Sequence, residues 1–313
     1  MVVEVKRTFQ PRDVEQILPG IARVLRSLAG NVPLLVVAPW LSPRTRELLA
    51  EESINYVDLT GNARIYLEYP VLYIKTVGAD RDPSPPARPA ARVRGPKAGR
   101  LVRLLVDVSP PYGVREIAEA TSLNPGYVSR LLDTLDREAL IERSRGRVTS
   151  VDISALVQRW AQSYDVFKTN GTTTFLSPAG AAAAVRQLPG LVGGGRVAVT
   201  GSFAAVRRAP VAAPAMLVLY CDDVATTADS LKLLPADTGA NVALLSPFDE
   251  VVWERTTVTD GVTYSAPSQV AIDCLTGNGR MPAEGEALLA WMLENEADWR
   301  EASLTIRDRR EIA

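Results

Sequence analysis

The stretch NPGYVSRLLDTLDREALIERSRGR, residues 124–147, opens with a helix-start signal and continues with a helical apolar pattern. Asn124 is of a residue type that caps helices, and Pro125 suits the first helical position, where a backbone N–H is not needed. Apolar residues then follow at the i, i+3, i+4, i+7 spacing of one helix face: Val128, Leu131, Leu132 and Leu135. We therefore predict an amphipathic helix that begins at Pro125.

The pattern changes after this helix. Residues 139–153, ALIERSRGRVTSVDI, are typical of two short strands separated by a turn at 144–146. Three arginines lie at or beside this turn: Arg143, Arg145 and Arg147. We expect a β-hairpin whose tip carries positive charge.

Two further helices are predicted upstream. Leu101, Leu104, Leu105 and Val108 indicate the first, and residues 114–120 form a short second helix that a tight turn at 121–124 joins to the third. Three helices with a short turn between the second and the third, followed by a hairpin, are typical of winged helix-turn-helix domains. A three-helix core domain with no role in DNA binding is the alternative.

The geometry of such a domain indicates which side chains would meet DNA. The third helix enters the major groove with its N-terminal residues first, and an arginine there can bind guanine through two hydrogen bonds. Hairpin arginines suit phosphate or minor-groove contacts, which position the protein rather than select a sequence. The candidates are Asn124, Tyr127, Ser129, Arg130, Arg143, Arg145 and Arg147, with Arg92, Arg94, Lys97 and Arg100 before the first helix.

The distribution of charge favours the same region. The chain of 313 residues has a formal net charge of −1, but residues 81–147 hold thirteen basic and eight acidic side chains. Residues 148–313 hold thirteen basic and nineteen acidic ones. A positive middle segment is where a polyanion would bind, and chance variation on a solvated surface is the alternative.

The composition excludes several kinds of site. The chain has no histidine, which removes His-based catalytic triads and His metal ligands. Cys221 and Cys274 lie far apart, which is typical of a reducing compartment and argues against a disulfide scaffold or a zinc site. There is no apolar run long enough to span a membrane and no signal-peptide pattern. We therefore expect a cytoplasmic protein with no metal and no cofactor.

Residues 78–99 are rich in proline and positively charged, as in a stiff linker, and a weaker boundary lies near 168–172. We predict an α+β multidomain protein. It consists of a truncated α/β domain over 1–78, a linker over 79–97, a winged helix-turn-helix domain over 98–168 and a mixed α/β domain over 169–313.

The N-terminal block alternates strands and helices. Strands are predicted at 2–7, 33–39, 54–59 and 71–75, and helices at 11–28 and 43–52. Glu4 and Lys6 are two residues apart, so their side chains share one face of the first strand. This Glu-x-Lys pair, with the order of elements after it, resembles the later half of the restriction-endonuclease-like nuclease fold.

In that nuclease family the Glu binds Mg²⁺ and the Lys faces the attacking water. The family also has an acidic metal ligand on an earlier strand, whereas only three residues precede Glu4 here, and Asp58 on a later strand is a poor substitute. The resemblance therefore implies a degenerate nuclease-like domain used for packing or association. A Mg²⁺-dependent nuclease that its winged helix directs to DNA is the alternative, with an ordinary edge strand as a third interpretation.

The C-terminal block supplies a second resemblance. The segments VTGSFAA (199–205), LYCDD (219–223), GANVALLSPFDEVV (239–252) and SQVAIDCLTGNGR (268–280) resemble the C-terminal region of AbiEi-type proteins. These are winged-helix transcriptional regulators that act as antitoxins of type IV toxin–antitoxin systems. The resemblance implies a repressor of its own gene whose partner is a nucleotidyltransferase-type toxin, unless the chain is a stand-alone regulator. The nuclease-like block in front departs from that family.

A nucleotidyltransferase site is a further alternative. Gly201-Ser202 followed by Asp222-Asp223 resembles the Gly-Ser turn and the Mg²⁺-binding carboxylates of these enzymes. Those carboxylates alternate along a strand, whereas adjacent strand residues point to opposite faces. We therefore expect no such activity. The sequence predicts a sequence-specific double-stranded DNA-binding regulator that is not an enzyme and that forms a homodimer, since such regulators commonly bind paired half-sites.

Overall fold

A computed structural model of the chain describes residues 1–14, 32–83, 93–191 and 195–304. The architecture is mixed α/β, as predicted. The chain divides into two compact units, Met1–Ala91 with Ser129–Arg143 and Arg92–Val128 with Ser144–Ala313. This grouping differs from the predicted division at 78, 97 and 168, and the individual domain boundaries stay predictions.

The first unit contains a mixed sheet. Its described elements are β1 Val2–Val5, β2 Leu34–Ala38, α1 Pro43–Glu51, β3 Asn55–Asp58, β4 Ala63–Leu67 and β5 Leu72–Thr76. The strands lie in chain order, with β1, β2 and β3 parallel and β4 and β5 antiparallel to their neighbours. The sequence analysis missed β4. Of the predicted helix at 11–28, residues 11–14 are helical, and the rest lies outside the described residues.

The core of the first unit is built from β2, β3, α1 and the segments beside them. It includes Phe9, Leu41, Leu49 and Tyr56, and it also takes in Ala139 from the segment 129–143. All five residues of β5 are exposed, so this edge strand contributes little to the core.

The residues of the opening stretch adopt the predicted elements. Three helices precede the hairpin region: α2 Pro96–Asp107, α3 Val114–Thr121 and α4 Pro125–Arg137. Three short strands, β6 Tyr112–Gly113, β7 Ile141–Ser144 and β8 Arg147–Val151, form a sheet in the order β6-β8-β7. The predicted apolar face of α4 is buried, because Val128, Leu131, Leu132 and Leu135 are each at most 1% exposed. The predicted linker ends inside α2, and its residues 84–92 lie outside the description.

The second unit is centred on a seven-stranded mixed sheet among its described residues. The strands are β9 Gly171–Leu176, β10 Val197–Thr200, β11 Leu217–Cys221, β12 Leu234–Pro235, β13 Val242–Ser246, β14 Thr257–Thr259 and β15 Val262–Tyr264. They lie in the order β12-β9-β13-β11-β10-β15-β14. Every residue of β11 is buried, as expected for a central strand with both faces covered.

Helices accompany this sheet along the chain. They are α5 Ile153–Ala161, α6 Val166–Thr169, α7 Ala181–Gln187, α8 Ser202–Ala205, α9 Val224–Ser230, α10 Pro267–Leu275, α11 Met281–Glu294 and α12 Glu296–Trp299. Eight of the nine residues of α10 are buried, so this helix is part of the core. None of the described helices combines the length and the apolar character needed to cross a membrane.

A buried arginine attaches α2 to the C-terminal part of the second unit. The Arg103 side chain is fully buried and pairs with Asp107 at 3.0 Å. Its guanidinium also donates to the Gln269 side chain at 2.7 Å and to the backbone oxygens of Val251 and Glu254. Because an unpaired buried charge is strongly unfavourable, these contacts fix α2 against the C-terminal segment.

Candidate nucleic-acid interface

The turn between α3 and α4 is tight and locally determined. Ser122 ends α3 in the left-handed conformation, with φ 55°. The Leu123 backbone N–H then donates to the Ala118 oxygen at 2.9 Å, and the Leu123 side chain is buried. This is the hydrogen bonding of a helix C-terminus, and it lets α4 start with only three residues between the two helices.

The start of α4 is exposed, and Asn124 caps it. The Asn124 Oδ1 accepts hydrogen bonds from the backbone N–H groups of Gly126 at 2.9 Å and Tyr127 at 3.4 Å. The cap uses only the oxygen, so the side-chain amide nitrogen remains as a donor. Asn124, Pro125 and Gly126 are all exposed. Tyr127 is half-buried, and burial raises the pKa of its phenol above the ordinary value.

Two further candidates lie along α4. Ser129 is half-buried, and Arg130 is exposed with no side-chain partner among the described residues. Thr134 donates to the Arg130 backbone oxygen at 3.1 Å, and this contact does not involve the guanidinium. Because Tyr127 and Arg130 are three residues apart on one helix, they are surface neighbours.

The predicted turn at 144–146 is present, and its geometry explains its residues. Arg145 and Gly146 have φ values of 50° and 81°. Two consecutive positive φ angles are what a two-residue hairpin turn requires, and glycine adopts them without strain. Arginine adopts this conformation less readily than glycine does. The Arg145 side chain is exposed and has no partner in the described part of the chain.

The other two hairpin arginines are engaged in ion pairs. Arg143 lies 2.5 Å from Asp133, and its side chain is only 18% exposed. Arg147 lies 3.0 Å from Glu116, and it also donates to the Pro111 oxygen at 3.0 Å. Arg145 is therefore the hairpin arginine whose charge is most available to a ligand.

Among the basic residues before and within α2, some are exposed without a partner in the described ranges, whereas Arg100 is held in an ion pair. Arg94 and Lys97 are exposed and make no contact that would occupy their charges within the described ranges. Arg100 instead forms a two-pronged pair with Asp249, with Nε at 2.8 Å and an amino group at 2.9 Å. The hydrogen bond that Arg100 donates to Asp249 raises the pKa of Arg100, so its charge is already engaged within the protein. Arg92 lies outside the described residues.

One further exposed basic residue was not among the candidates predicted from the sequence. Arg115, in the first turn of α3, is exposed and has no partner in the described ranges. In helix-turn-helix proteins the helix before the reading helix crosses the DNA backbone, so Arg115 is a further candidate for a phosphate contact. A positive charge at the start of that helix was the available signal.

Of the nuclease candidates, Glu4 lies in β1 and Lys6 directly follows it. Both are half-buried and alternate with exposed residues, so their side chains share one side of this segment. Lys6 lies 3.7 Å from Asp13 and 5.2 Å from the centre of the Phe9 ring.

Asp58 is occupied by its own turn. Its carboxylate accepts hydrogen bonds from Leu41, from the backbone and hydroxyl of Thr60, and from the backbone and side chain of Asn62. Burial acts to raise the pKa of Asp58, but these hydrogen bonds outweigh it and hold the pKa below its ordinary value. The carboxylate therefore stabilises the loop after β3.

The nucleotidyltransferase candidates are also engaged. The Ser202 hydroxyl donates to Glu284 at 2.5 Å. Asp222 pairs with Arg196 at 3.0 Å, and Asp223 caps α9 by accepting from the Thr226 N–H at 3.0 Å. The two aspartates therefore have separate structural roles. Among the described residues, no group of three or more Cys, Asp or Glu side chains could hold a metal ion.

Comparison with known proteins adds no assignment, because no family model, curated protein or solved structure matches this chain. The resemblances to AbiEi-type regulators and to the nuclease fold therefore stay predictions.

Proposed function

We propose that this protein is a sequence-specific, double-stranded DNA-binding regulator of transcription. The observation that carries the proposal is Arg145 at the turn between β7 and β8, which is exposed and has no partner among the described residues. The turn fixes the backbone conformation of Arg145 and places its guanidinium at the tip of the hairpin, where it can reach a phosphate.

The start of α4 would read the bases. Asn124 and Ser129 offer short polar side chains, Tyr127 a hydroxyl, and Arg130 an unoccupied guanidinium that can bind guanine through two hydrogen bonds. These side chains lie on the first turns of one helix, which is the part of a reading helix that enters the major groove.

Phosphate contacts would come from the residues with free charge. Four exposed basic residues form no ion pair among the described residues, so each can neutralise a phosphate without losing such a pair: Arg94, Lys97, Arg115 and Arg145. Arg143 and Arg147 would have to exchange Asp133 and Glu116 for phosphates, so their net contribution should be smaller.

The test uses duplex DNA from the region upstream of the gene and an unrelated duplex of equal length. The dissociation constant is measured by fluorescence anisotropy over a range of salt concentrations. Wild-type protein should prefer the upstream duplex, and its affinity should fall as salt rises, because binding releases counterions.

Two variants of one position isolate the hairpin contact. Arg145→Asn removes the charge and suits the left-handed backbone, since asparagine adopts that conformation more readily than arginine does. It should weaken binding to both duplexes about fivefold near physiological salt and reduce the salt slope by about 0.9. Arg145→Lys should keep most of the affinity, and Arg186→Gln, at an exposed position on α7, should change nothing.

Two outcomes would contradict the proposal. Absence of binding to either duplex at low salt would exclude the function itself. Binding with an unchanged salt slope in Arg145→Asn would exclude the hairpin as the phosphate contact.

The resemblance to AbiEi-type proteins extends the proposal to its biology. It favours repression of the protein's own gene, a homodimer on paired half-sites, and a nucleotidyltransferase-type toxin as partner. The Mg²⁺-dependent nuclease gains no support from the described residues, because Lys6 pairs with Asp13 and Asp58 is fully hydrogen-bonded.

A further inference from the structure

A cavity of ≈ 270 Å³ lies in the second unit, beside α8 and between the last strands and the C-terminal helices. Its apolar lining includes Ala204, Val270 and Leu288. Its polar lining includes Arg207, Arg208 and Ser265. This volume is slightly below the volumes of common ligand pockets, which start at about 300 Å³.

Two arginines bring positive charge to this cavity. The Arg207 guanidinium lies 3.8 Å from the centre of the Tyr264 ring, and that of Arg208 lies 4.7 Å from the Trp291 ring. Neither forms an ion pair with any carboxylate in the described part of the chain. Adjacent guanidinium groups held in place by aromatic rings form a preorganised anion receptor.

The surroundings of Arg208 disfavour its charge. Burial lowers the pKa of Arg208, the neighbouring Arg207 charge lowers it further, and Asp298 acts in the opposite direction. A bound anion would relieve the repulsion between the two arginines.

A buried hydroxyl provides a second, independent sign of a ligand. Ser265 lines the cavity and is 3% exposed, and its Oγ has no hydrogen-bond partner among the residues that the structure describes. Buried polar groups are normally hydrogen-bonded, so an unpaired hydroxyl in a cavity wall calls for a partner.

The nearby helix adds to the positive potential. α10 begins at Pro267, a lining residue, and its N-cap residue Ala266 has no side chain that can cap the helix. The N-terminus of a helix carries partial positive charge and favours anions.

From these contacts we infer that the cavity binds a small organic anion, with a carboxylate or phosphate head and an apolar body of one ring or a short chain. The head lies between Arg207, Arg208 and the Ser265 hydroxyl. The apolar body contacts Val270 and Leu288. A bare inorganic anion would leave this apolar wall unused, and a neutral ring would leave the guanidinium groups unpaired. The inference is independent of DNA binding.

The test measures binding of four probes to the full chain by calorimetry and by tryptophan fluorescence, since Trp291 stacks on Arg208. The probes are phenyl phosphate, benzoate, inorganic phosphate and benzyl alcohol. Phenyl phosphate or benzoate should bind more tightly than inorganic phosphate and benzyl alcohol. The stronger of the two identifies the head group.

Variants locate the site. Arg207→Gln and Arg208→Gln should each weaken the preferred probe about tenfold or more, because each removes charge-assisted hydrogen bonds. Ser265→Ala should weaken it less and should not affect folding. Arg186→Gln, at an exposed position on α7 that does not line the cavity, is the matched control. Thermal unfolding of every variant shows whether it is folded. If an arginine variant does not fold, the affinity of Ser265→Ala for the preferred probe decides whether the cavity is the binding site.

Several results would overturn the inference. Benzyl alcohol binding as tightly as the anions would indicate an ordinary apolar cavity. Wild-type affinity in all three cavity variants would place the anion elsewhere. Failure of every probe, together with loss of DNA affinity in Arg207→Gln and Arg208→Gln, would assign these arginines to a nucleic acid instead.

Discussion

Replacement of Asp273 by asparagine should change how the stability of this protein depends on pH. Asp273 lies on α10, is fully buried and forms no ion pair among the described residues. Its carboxylate accepts hydrogen bonds from Thr200 at 2.6 Å, Tyr164 at 2.8 Å, Gln269 at 2.9 Å and Tyr220 at 3.0 Å. Burial raises the pKa of Asp273 from 3.8 to about 6, because the hydrogen bonds only partly offset desolvation.

The sign follows from linkage. The folded-state pKa lies above the unfolded value, so the native state binds the proton more tightly and is favoured while the carboxyl is protonated. That stabilisation is complete below pH 3.8 and is lost as the pH rises through the window to about 6. At about 1.4 kcal/mol per pKa unit, the loss amounts to about 3 kcal/mol.

The assay is urea unfolding of wild type and Asp273→Asn at several pH values, followed by circular dichroism. The free energy of unfolding of wild type, relative to the variant, should fall by about 2 kcal/mol between pH 4 and pH 7.5, which covers most of the window. Asp237→Asn, at an exposed position in the same unit, is the control and should leave the profile unchanged. A difference between wild type and Asp273→Asn that is constant with pH, or that grows as the pH rises, would refute the reasoning.

Three further predictions concern the interface, the nuclease alternative and the buried arginine. Arg130→Ala should reduce the ratio of specific to non-specific DNA affinity by about 1–3 kcal/mol, measured by anisotropy at one salt concentration, because a guanine contact carries sequence information. Glu4→Ala and Lys6→Ala should leave DNA binding intact, and wild type should not cut plasmid with Mg²⁺ or Mn²⁺ in a gel assay. Arg103→Met should lower the free energy of unfolding by about 3 kcal/mol or more, because it leaves the buried Asp107 without its nearest cation.

Each of these predictions has its own control. Arg145→Asn should lower both DNA affinities alike, so an equal loss in Arg130→Ala would place Arg130 on the backbone. Plasmid cleavage that disappears in Glu4→Ala or Lys6→Ala would revive the nuclease interpretation. Arg186→Met should have almost no effect on stability, and a similarly small effect in Arg103→Met would show that the buried pair contributes little.

The helices and the turn of residues 93–168, the helix-and-hairpin segment, could be predicted because each depends on a sequence pattern of a few neighbouring residues. The Asn124 cap, the apolar face of α4 and the turn at Arg145-Gly146 depend on residues within a few positions of each other. Such patterns reflect helix and turn geometry directly. The missed strand β4 has a weaker signal, since its place depends on pairing with β3 and β5.

Side-chain partners distant in the chain could not be predicted. Arg100 was expected at the DNA backbone, but its partner Asp249 is 149 residues away. Arg103 is fully buried, with Asp107 as its ion-pair partner and Gln269, far along the chain, accepting a further hydrogen bond. The charge of a residue is visible in the sequence, whereas the group that neutralises it depends on the fold.

The contacts of Arg103 also limit how this protein can be recombined. A fusion that joined residues 93–168 to an unrelated C-terminal segment would remove Gln269 and the backbone oxygens of Val251 and Glu254 together. Of these partners, the guanidinium would then keep Asp107 alone. Domains joined by a free linker can be exchanged separately. The helix-and-hairpin segment and the C-terminal segment share the contacts of Arg103, so we expect them to remain together in evolution. A biosensor built from this chain would need both.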